Sequence, residues 1–161
     1  VLHRLDRDTS GVVVFCKNEK LRDLLQNNWN KVTRKYVAVV NGKLDSNEGT
    51  YKDYLEENKN HKVYVSKSGN LAVTKYKKIK DIGENTLVDI EILTGRKNQI
   101  RVQFAHHGNY ILGDSKYSLN YKKYNRLYLH SNLVCFKHPI SNKYMEFSAT
   151  VPNEFMKVKR R

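Results

Sequence analysis

Alternating apolar and polar positions recur along most of the 161-residue chain, and each alternating stretch predicts a β-strand. The clearest is residues 33–40, which places Tyr36, Ala38 and Val40 on one face and ends in an Asn-Gly turn. Other predicted strands are a buried one at 11–16, short ones at 50–55 and 62–66, a lysine-rich one at 71–80, and strands at 87–93 and 144–149.

Two segments have the spacing of helices instead. In the first, Leu21, Leu24, Leu25 and Trp29 follow the N-cap residue Asn18 at helical intervals, which predicts a core-packing helix. The second follows a Thr-Gly turn at 94–95, has Ile100 and Phe104 on its apolar side, and stops at Gly108. Positive side chains at this strand–helix junction, beside free helix N–H groups, predict an anion site.

Composition restricts the class of protein. Hydrophobic residues make up 39% of the chain, with 8 Gly and 2 Pro, which is typical of one ordered domain. The formal charge of +14 indicates a polyanionic partner, either nucleic acid or an anionic membrane surface. Since no apolar run approaches the ~20 residues of a membrane helix, and no signal peptide is recognisable, we expect no membrane insertion.

The residues that usually hold metals or cofactors lack the corresponding spacing. Cys16 and Cys135 lie in apolar surroundings, which predicts packing thiols in a reducing cytoplasm. The six histidines show no metal-binding spacing, and His106 and His107 are adjacent, so on a helix they point about 100° apart. No glycine-rich phosphate loop is present. The sequence therefore predicts an enzyme without metal or cofactor.

Three ordered motifs narrow the function. Residues 3–11 read HRLDRDTSG, residues 34–42 read RKYVAVVNG, and residues 94–103 read TGRKNQIRVQ, followed by GNYILGD at 108–114. They resemble the motifs HRLDxxTSG, KxYxAxVxG and TGRxHQIRVH of the RluA-type pseudouridine synthases, which isomerise uridine in RNA. The segments 127–131 and 136–139 are similar to that family's closing motif. The resemblance covers nearly the whole chain.

The resemblance implies roles for individual residues. Asp6 would be the catalytic carboxylate, Tyr36 would stack on the target uracil, and Arg101 would pair with Asp6, so these three form the expected catalytic set. The Arg two residues before the catalytic Asp, here Arg4, would enter the RNA helix. Further RNA contacts are expected from Arg7, Thr9, Arg96 and Lys97.

The sequence departs from the family pattern at three positions. Asn98 and Gln103 stand where the family usually has His, and Tyr110 stands where it has Pro. We expect these differences to affect packing and substrate contacts more than the reaction. Interleaved basic and aromatic residues at 115–126 suit phosphate and base contacts, although a flexible polar loop has the same composition. The basic tail at 157–161 is either frayed or in contact with RNA.

The implied fold is α+β, with a mostly antiparallel, bent mixed sheet flanked by helices and loops around a central RNA cleft. Residues 1–161 would form the catalytic domain, without strands that the family has before its first motif. The expected partner is RNA, with ribosomal preferred to transfer RNA, and the expected protein is a cytoplasmic monomer.

Asp6 could act as a nucleophile at C1′ or as a base at C2′. A non-catalytic RNA-binding domain is the alternative, whereas a glycosidase would need a second carboxylate for which no candidate is evident.

Overall fold

The computed structural model describes residues 2–158 and contains one large sheet with two helices. The strands are β1 (Ser10–Gly11), β2 (Thr33–Val40), β3 (Glu48–Glu57), β4 (Val63–Ser66), β5 (Asn70–Ile82), β6 (Asn85–Ile92), β7 (Leu129–Lys137) and β8 (Tyr144–Ser148). The helices are α1 (Glu19–Asn27) and α2 (Gln99–His106), with 3-10 turns at Trp29–Lys31, Tyr121–Lys123 and Asn153–Phe155. Residues 159–161 of the basic tail lie outside the described residues.

The sheet has the order β1-β7-β2-β6-β5-β3-β4, and β8 also pairs with β7. Between residues 2 and 158, β1 runs parallel to β7 and the other paired strands are antiparallel. Register shifts between Lys35 and Tyr36 and between Lys78 and Lys80 mark bulges, which bend and twist a sheet locally. The α+β class and the mostly antiparallel mixed sheet are therefore confirmed.

The predicted strand at 11–16 is wrong. Only Ser10 and Gly11 pair with β7, and Phe15 is 68% exposed. Gly11 has a φ of 118° and passes so close to the backbone of Ser131 that a Cβ would lie 2.0 Å from its carbonyl oxygen. After Gly11 the chain makes one more hydrogen bond to β7, from the Val12 amide to the Ser131 carbonyl. It then turns away from that strand. The apolar run at 12–16 then packs partly against Leu2, Leu25 and their neighbours instead.

Strand β7 was not predicted from the sequence, whereas the other strands and helices follow their predictions, with one difference in α1. Asn18 caps this helix by accepting a hydrogen bond from the Leu21 amide. The helix ends at Asn27, because Asn28 satisfies the Leu24 carbonyl with its side chain and the Leu25 carbonyl with its backbone amide. Trp29 is thereby placed in a 3-10 turn, half-buried, and not on the helix.

The core lies between the centre of the sheet and α2. Ala38, Val39 and Val40 of β2 have no exposed surface, and Phe104 of α2 is also fully buried. The apolar side predicted for α2 is confirmed, but polar residues 99, 101 and 103 are buried as well. Such a helix needs internal partners for its polar groups.

Strand β5 supplies most of those partners. The Gln99 amide donates to the Val73 carbonyl and to Thr74, and the Gln103 amide donates to the Ala72 carbonyl and to Asp53. The Thr74 hydroxyl donates back to the Gln103 side-chain oxygen at 2.7 Å. These bonds fix the position of α2 along β5, and therefore the position of Arg101 relative to the sheet.

The cysteines and the membrane prediction need only brief comment. Cys135 is buried and Cys16 is half-buried, and both are free thiols. Within residues 2–158, neither helix has the length and apolar character required to cross a bilayer.

Candidate active site

An open cleft of about 940 Å³ lies where the first loop, β2 and the N-terminal end of α2 meet. Its walls come from residues 3–9, from Trp29, Arg34 and Tyr36, from residues 95–101 and from residues 115–116, with Ile92 and Leu129 completing the lining. The three motifs identified in the sequence thus converge on a single cavity. In the described part of the chain, no cluster of three or more His, Cys, Asp or Glu side chains is arranged to hold a metal ion.

Asp6 lies in the first loop, with its carboxylate partly open to this cleft. The backbone closes a turn through the Thr9 amide, which donates to the Asp6 carbonyl at 2.9 Å. Ser10 then anchors the loop, because its hydroxyl hydrogen-bonds His130 at 2.8 Å and accepts from Arg126. The Asp6 side chain is 26% exposed, so it is both held and accessible.

Two residues at the start of α2 contact the Asp6 carboxylate. Nη1 of Arg101 donates to Oδ2 of Asp6 at 3.3 Å. The amide nitrogen of Asn98, in the orientation that avoids facing two oxygens toward each other, lies 3.0 and 3.2 Å from the carboxylate oxygens. Asn98 has a left-handed backbone, with φ 53° and ψ 21°, and this conformation directs its side chain from the helix start toward the loop.

Arg101 is itself held by a second carboxylate. Its Nε and Nη2 donate to the two oxygens of Asp114 at 2.9 and 2.6 Å, and Asp114 has no exposed surface. Burial alone would lower the pKa of Arg101, but the hydrogen bonds and charge of Asp114, followed by those of Asp6, raise it above its ordinary value. Arg101 is therefore a permanent cation with one nitrogen available to Asp6.

Tyr36 lines the same cleft from β2 and is 8% exposed. Burial is the largest influence on its hydroxyl and raises the pKa above the usual value, against a smaller opposing effect of Arg34. The phenol is neutral near pH 7 and offers an aromatic surface at the cleft wall.

Comparison with known proteins identifies the family. A sequence model described as RNA pseudouridylate synthase matches residues 1–106. The chain belongs to this family. It is 35% identical over 159 residues to the uncharacterized RNA pseudouridine synthase YlyB of Bacillus subtilis (strain 168), covering 96% of this chain and 52% of that protein. It is 39% identical over 166 residues to ribosomal large subunit pseudouridine synthase C of Buchnera aphidicola subsp. Schizaphis graminum (strain Sg), covering 92% and 52%.

Solved structures agree on the fold. Human RNA pseudouridylate synthase domain containing 1 superposes with a TM-score of 0.82 at 21% identity, covering 96% of this chain and 69% of that one. Human RNA pseudouridylate synthase domain containing 4 gives a TM-score of 0.79 at 24% identity, covering 96% and 72%. The pseudouridine synthase fold expected from the resemblance is therefore confirmed, although the chain spans about half the length of the sequence relatives it matches.

The predicted RNA-binding residues all line the cleft, but they differ in their surroundings. Arg4 and Arg7 are exposed and form no ion pair with any residue between 2 and 158, whereas Lys97 pairs with Glu57. Arg96 is exposed and donates through Nε to the Leu71 carbonyl. Thr9 has a buried hydroxyl without a hydrogen-bond partner among the described residues.

Two residues of this site were missed by the sequence reasoning. Asp114 ends the GNYILGD segment that was recognised as a motif, but no role was assigned to it. Asn98 was noted as a departure from the family and was expected to concern packing and substrate contacts, whereas the structure places it against Asp6. The sequence spacing gave no signal for this contact, because Asn98 precedes α2 and has a left-handed backbone.

Proposed function

We propose that the protein isomerises uridine to pseudouridine in RNA, with Asp6 as the catalytic carboxylate and residues 1–161 as its catalytic domain. The observation that carries this proposal is the position of Asp6, which is partly open to a basic cleft and is contacted by Arg101 and Asn98. A nearby guanidinium and an amide donor both favour an ionised, oriented carboxylate. The family membership supports the reaction class.

The reaction needs no redox agent or energy source. The bond between C1′ and N1 breaks, the uracil turns, and C1′ joins C5, while the proton from C5 is lost and N1 gains one. Departure of the base leaves C1′ electron-poor, as in glycoside cleavage. The Asp6 carboxylate can add to C1′ or remove the proton from C2′, and both routes require the ionised, accessible side chain that the cleft provides.

Tyr36 acts in this proposal as the surface on which the uracil is held while it turns. Its neutral phenol is a weak proton acceptor, so its pKa supports a stacking role better than a role as the base at C5. Arg101 is assigned as a positioning residue, because it acts through Asp6. To reach the cleft, the target uridine must leave its stack, and the exposed planar side chain of Arg4 is suited to replace it there.

Ribosomal RNA is the substrate class that we propose. Two relatives of the chain, named ribosomal large subunit pseudouridine synthases C and D, favour it. The formal charge of +14 supports binding of RNA, whether ribosomal or transfer RNA. We propose that its contacts at the cleft are Arg4, Arg7, Thr9, Arg96 and Lys97. We further propose that the protein works as a monomer in the cytoplasm, without a membrane, metal or cofactor.

Release of tritium from RNA labelled at uracil C5 tests the activity directly. We expect Asp6→Asn to abolish release while binding to the same RNA stays within about tenfold, because the amide keeps the shape and loses the charge. Asp8→Asn is the matched control, since Asp8 is an exposed carboxylate in the same loop, and it should keep most of the activity. RNA binding by the parent protein without any tritium release would favour the alternative, a non-catalytic RNA-binding domain.

A further inference from the structure

Arg34 is a buried cation whose charge no acidic side chain of the described chain balances. The residue is 5% exposed, its guanidinium forms no ion pair and no hydrogen bond with residues 2–158, and its Nε is fully buried. Burial is the main influence on its guanidinium and lowers the pKa, while the Tyr36 hydroxyl opposes this only in part. Removing a cation from water without giving it a partner disfavours the folded state. The guanidinium of Arg34 is thus a buried cation with no anionic partner among the described residues.

The side chain is nevertheless held in a fixed place. Its guanidinium carbon lies 5.8 Å from the ring centre of Trp29, and His3 stacks on the same ring at 5.0 Å. On the other side Gly95 leaves room, because a Cβ there would lie 2.7 Å from Nη1 of Arg34. A guanidinium held over a ring keeps its N–H groups, which lie in its own plane, available for a ligand.

The cleft that Arg34 lines is basic. The cationic side chains around it are Arg4, Arg7, Arg96, Arg101, Lys97 and Lys116, whereas its carboxylates are Asp6 and Asp8. Asp6 is already engaged by Arg101 and Asn98, and Asp8 is exposed to water. Burial and the nearby Arg34 lower the pKa of His3, which is thus neutral near pH 7. An anion that enters the cleft would therefore supply the partner that Arg34 lacks.

The position of Arg34 indicates which anion fits. It lies two residues before Tyr36 on β2, and two residues along a strand span about 6.6 Å on the same face. If a uracil stacks on Tyr36, as the proposed function requires, the sugar–phosphate backbone of that nucleotide is within reach of Arg34. The planar fork of an arginine binds phosphate oxygens through two parallel hydrogen bonds.

We propose that Arg34 binds a phosphodiester group that flanks the target uridine. The inference rests on the proposed function, since it assumes a uridine in the cleft. The cost of the unpaired cation in the free protein is then offset when RNA binds. Arg34 differs in this respect from the exposed arginines, because its contact is to one fixed phosphate and is shielded from solvent.

The test compares Arg34→Met with Lys35→Met. Lys35 is the next residue along the chain, its side chain is 36% exposed, and its Nζ lies 3.9 Å from Oδ2 of Asp89. Lys35→Met therefore removes the same positive charge as Arg34→Met, but outside the cleft. The probes are a short RNA with one central uridine and the same RNA with a neutral methylphosphonate linkage on the 5′ or the 3′ side of that uridine. Affinity is measured over a range of salt concentrations, and the melting temperature is measured without RNA.

We expect Arg34→Met to weaken binding by about ten- to a hundredfold and to flatten the slope of log K against log salt by roughly 0.7. One of the two methylphosphonate linkages should lower the RNA affinity of the parent and of Lys35→Met by a factor similar to that of the Arg34→Met substitution. The same linkage should leave the affinity of Arg34→Met almost unchanged. The melting temperature of free Arg34→Met should equal or exceed that of the parent. Arg34→Lys should regain the salt slope but only part of the affinity.

Two results would overturn the proposal. One is an Arg34→Met variant that still loses affinity with both methylphosphonates as the parent does. The other is a variant that melts well below the parent or does not fold, since Arg34 would then serve the fold. Tritium release by the parent protein is recorded separately. Its absence would refute the isomerase activity, while the methylphosphonate comparison would still decide whether Arg34 binds phosphate.

Discussion

Arg101 binds Asp114 through two nitrogens, at 2.9 and 2.6 Å, and reaches Asp6 through the third at 3.3 Å. The contact to Asp114 is the shorter one and is fully buried, so it determines where the guanidinium lies. Asp6 is then oriented by a cation that is already fixed. Because one arginine serves both carboxylates, changes at any of the three residues are expected to be coupled.

Replacement of Arg101 should slow the chemical step. We expect Arg101→Met to reduce the single-turnover rate more than Arg101→Lys, because Lys keeps a charge near Asp6 but loses the two-pronged contact to Asp114. Arg96→Met, which removes an exposed arginine at the cleft rim, should change this rate much less. The measurement is single-turnover tritium release at saturating protein, below the melting temperature of each variant. A larger loss of rate for Arg96→Met would mean that Arg101 does not position Asp6.

Asp114→Asn should reduce stability as well as rate. It leaves a buried arginine without its main partner, which we expect to lower the free energy of unfolding by about 3 kcal/mol. The backbone amides of Lys116 and Tyr117, which donate to Asp114, would lose a charged acceptor in addition. Asp81→Asn is the control, because Asp81 accepts hydrogen bonds from two lysines at the surface and its replacement should change the free energy of unfolding much less. Equal effects in urea denaturation would contradict the role of the buried pair.

Asn98→Gly tests whether the amide acts on Asp6. Glycine accepts the left-handed backbone at this position, so the fold should be retained while the two contacts to the carboxylate are lost. A hydrogen bond to a charged group is worth about 1.5–3 kcal/mol, so we expect a rate loss of at least about tenfold with little change in RNA affinity. Asn142→Gly, at another left-handed asparagine, on the surface, should leave the rate unchanged. An unaltered rate in Asn98→Gly would show that the amide has no part in positioning Asp6.

The salt dependence of RNA affinity should distinguish Arg96 from Lys97, two cations that lie just before α2. The parent protein should show a steep fall of log K against log salt, since its +14 charge displaces many counterions from RNA. Arg96→Met should flatten this slope by roughly 0.7. Lys97→Met should flatten it less, because Lys97 already pairs with Glu57. A nearly flat slope in the parent would refute an RNA footprint altogether.

The sequence predicts the strands well where the alternation has a local cause. In β5, the buried residues Thr74 and Tyr76 alternate with the exposed residues Lys75 and Lys77, and this pattern is visible without a structure. The error at 11–16 has a distant cause. Its β-branched residues favour a strand, but the pairing partner is more than a hundred residues away, and the close approach of Gly11 to Ser131 limits the pairing to two residues.

The site was predictable only as far as the motifs identify it. Asp6, Tyr36 and Arg101 could be named from short sequence patterns, and the structure brings all three to one cleft, while their roles in catalysis stay predictions. The contact of Asp114 with Arg101 depends on how the loop after α2 folds back, which no local pattern determines. Asn98 acquires its contact through a left-handed backbone, and sequence spacing carries no sign of that conformation.

The loop that carries Asp6 has a consequence for how the chain folds. Its anchor to the sheet is the short parallel pair between β1 and β7, in which Ser10 lies opposite His130, and its contact to Arg101 joins residues 95 positions apart. Contacts between such distant residues carry a large loop-closure entropy and form late in folding. The central antiparallel strands can pair earlier, since β5 and β6 are adjacent in the chain. During refolding, recovery of catalytic competence should therefore trail recovery of the β-sheet signal.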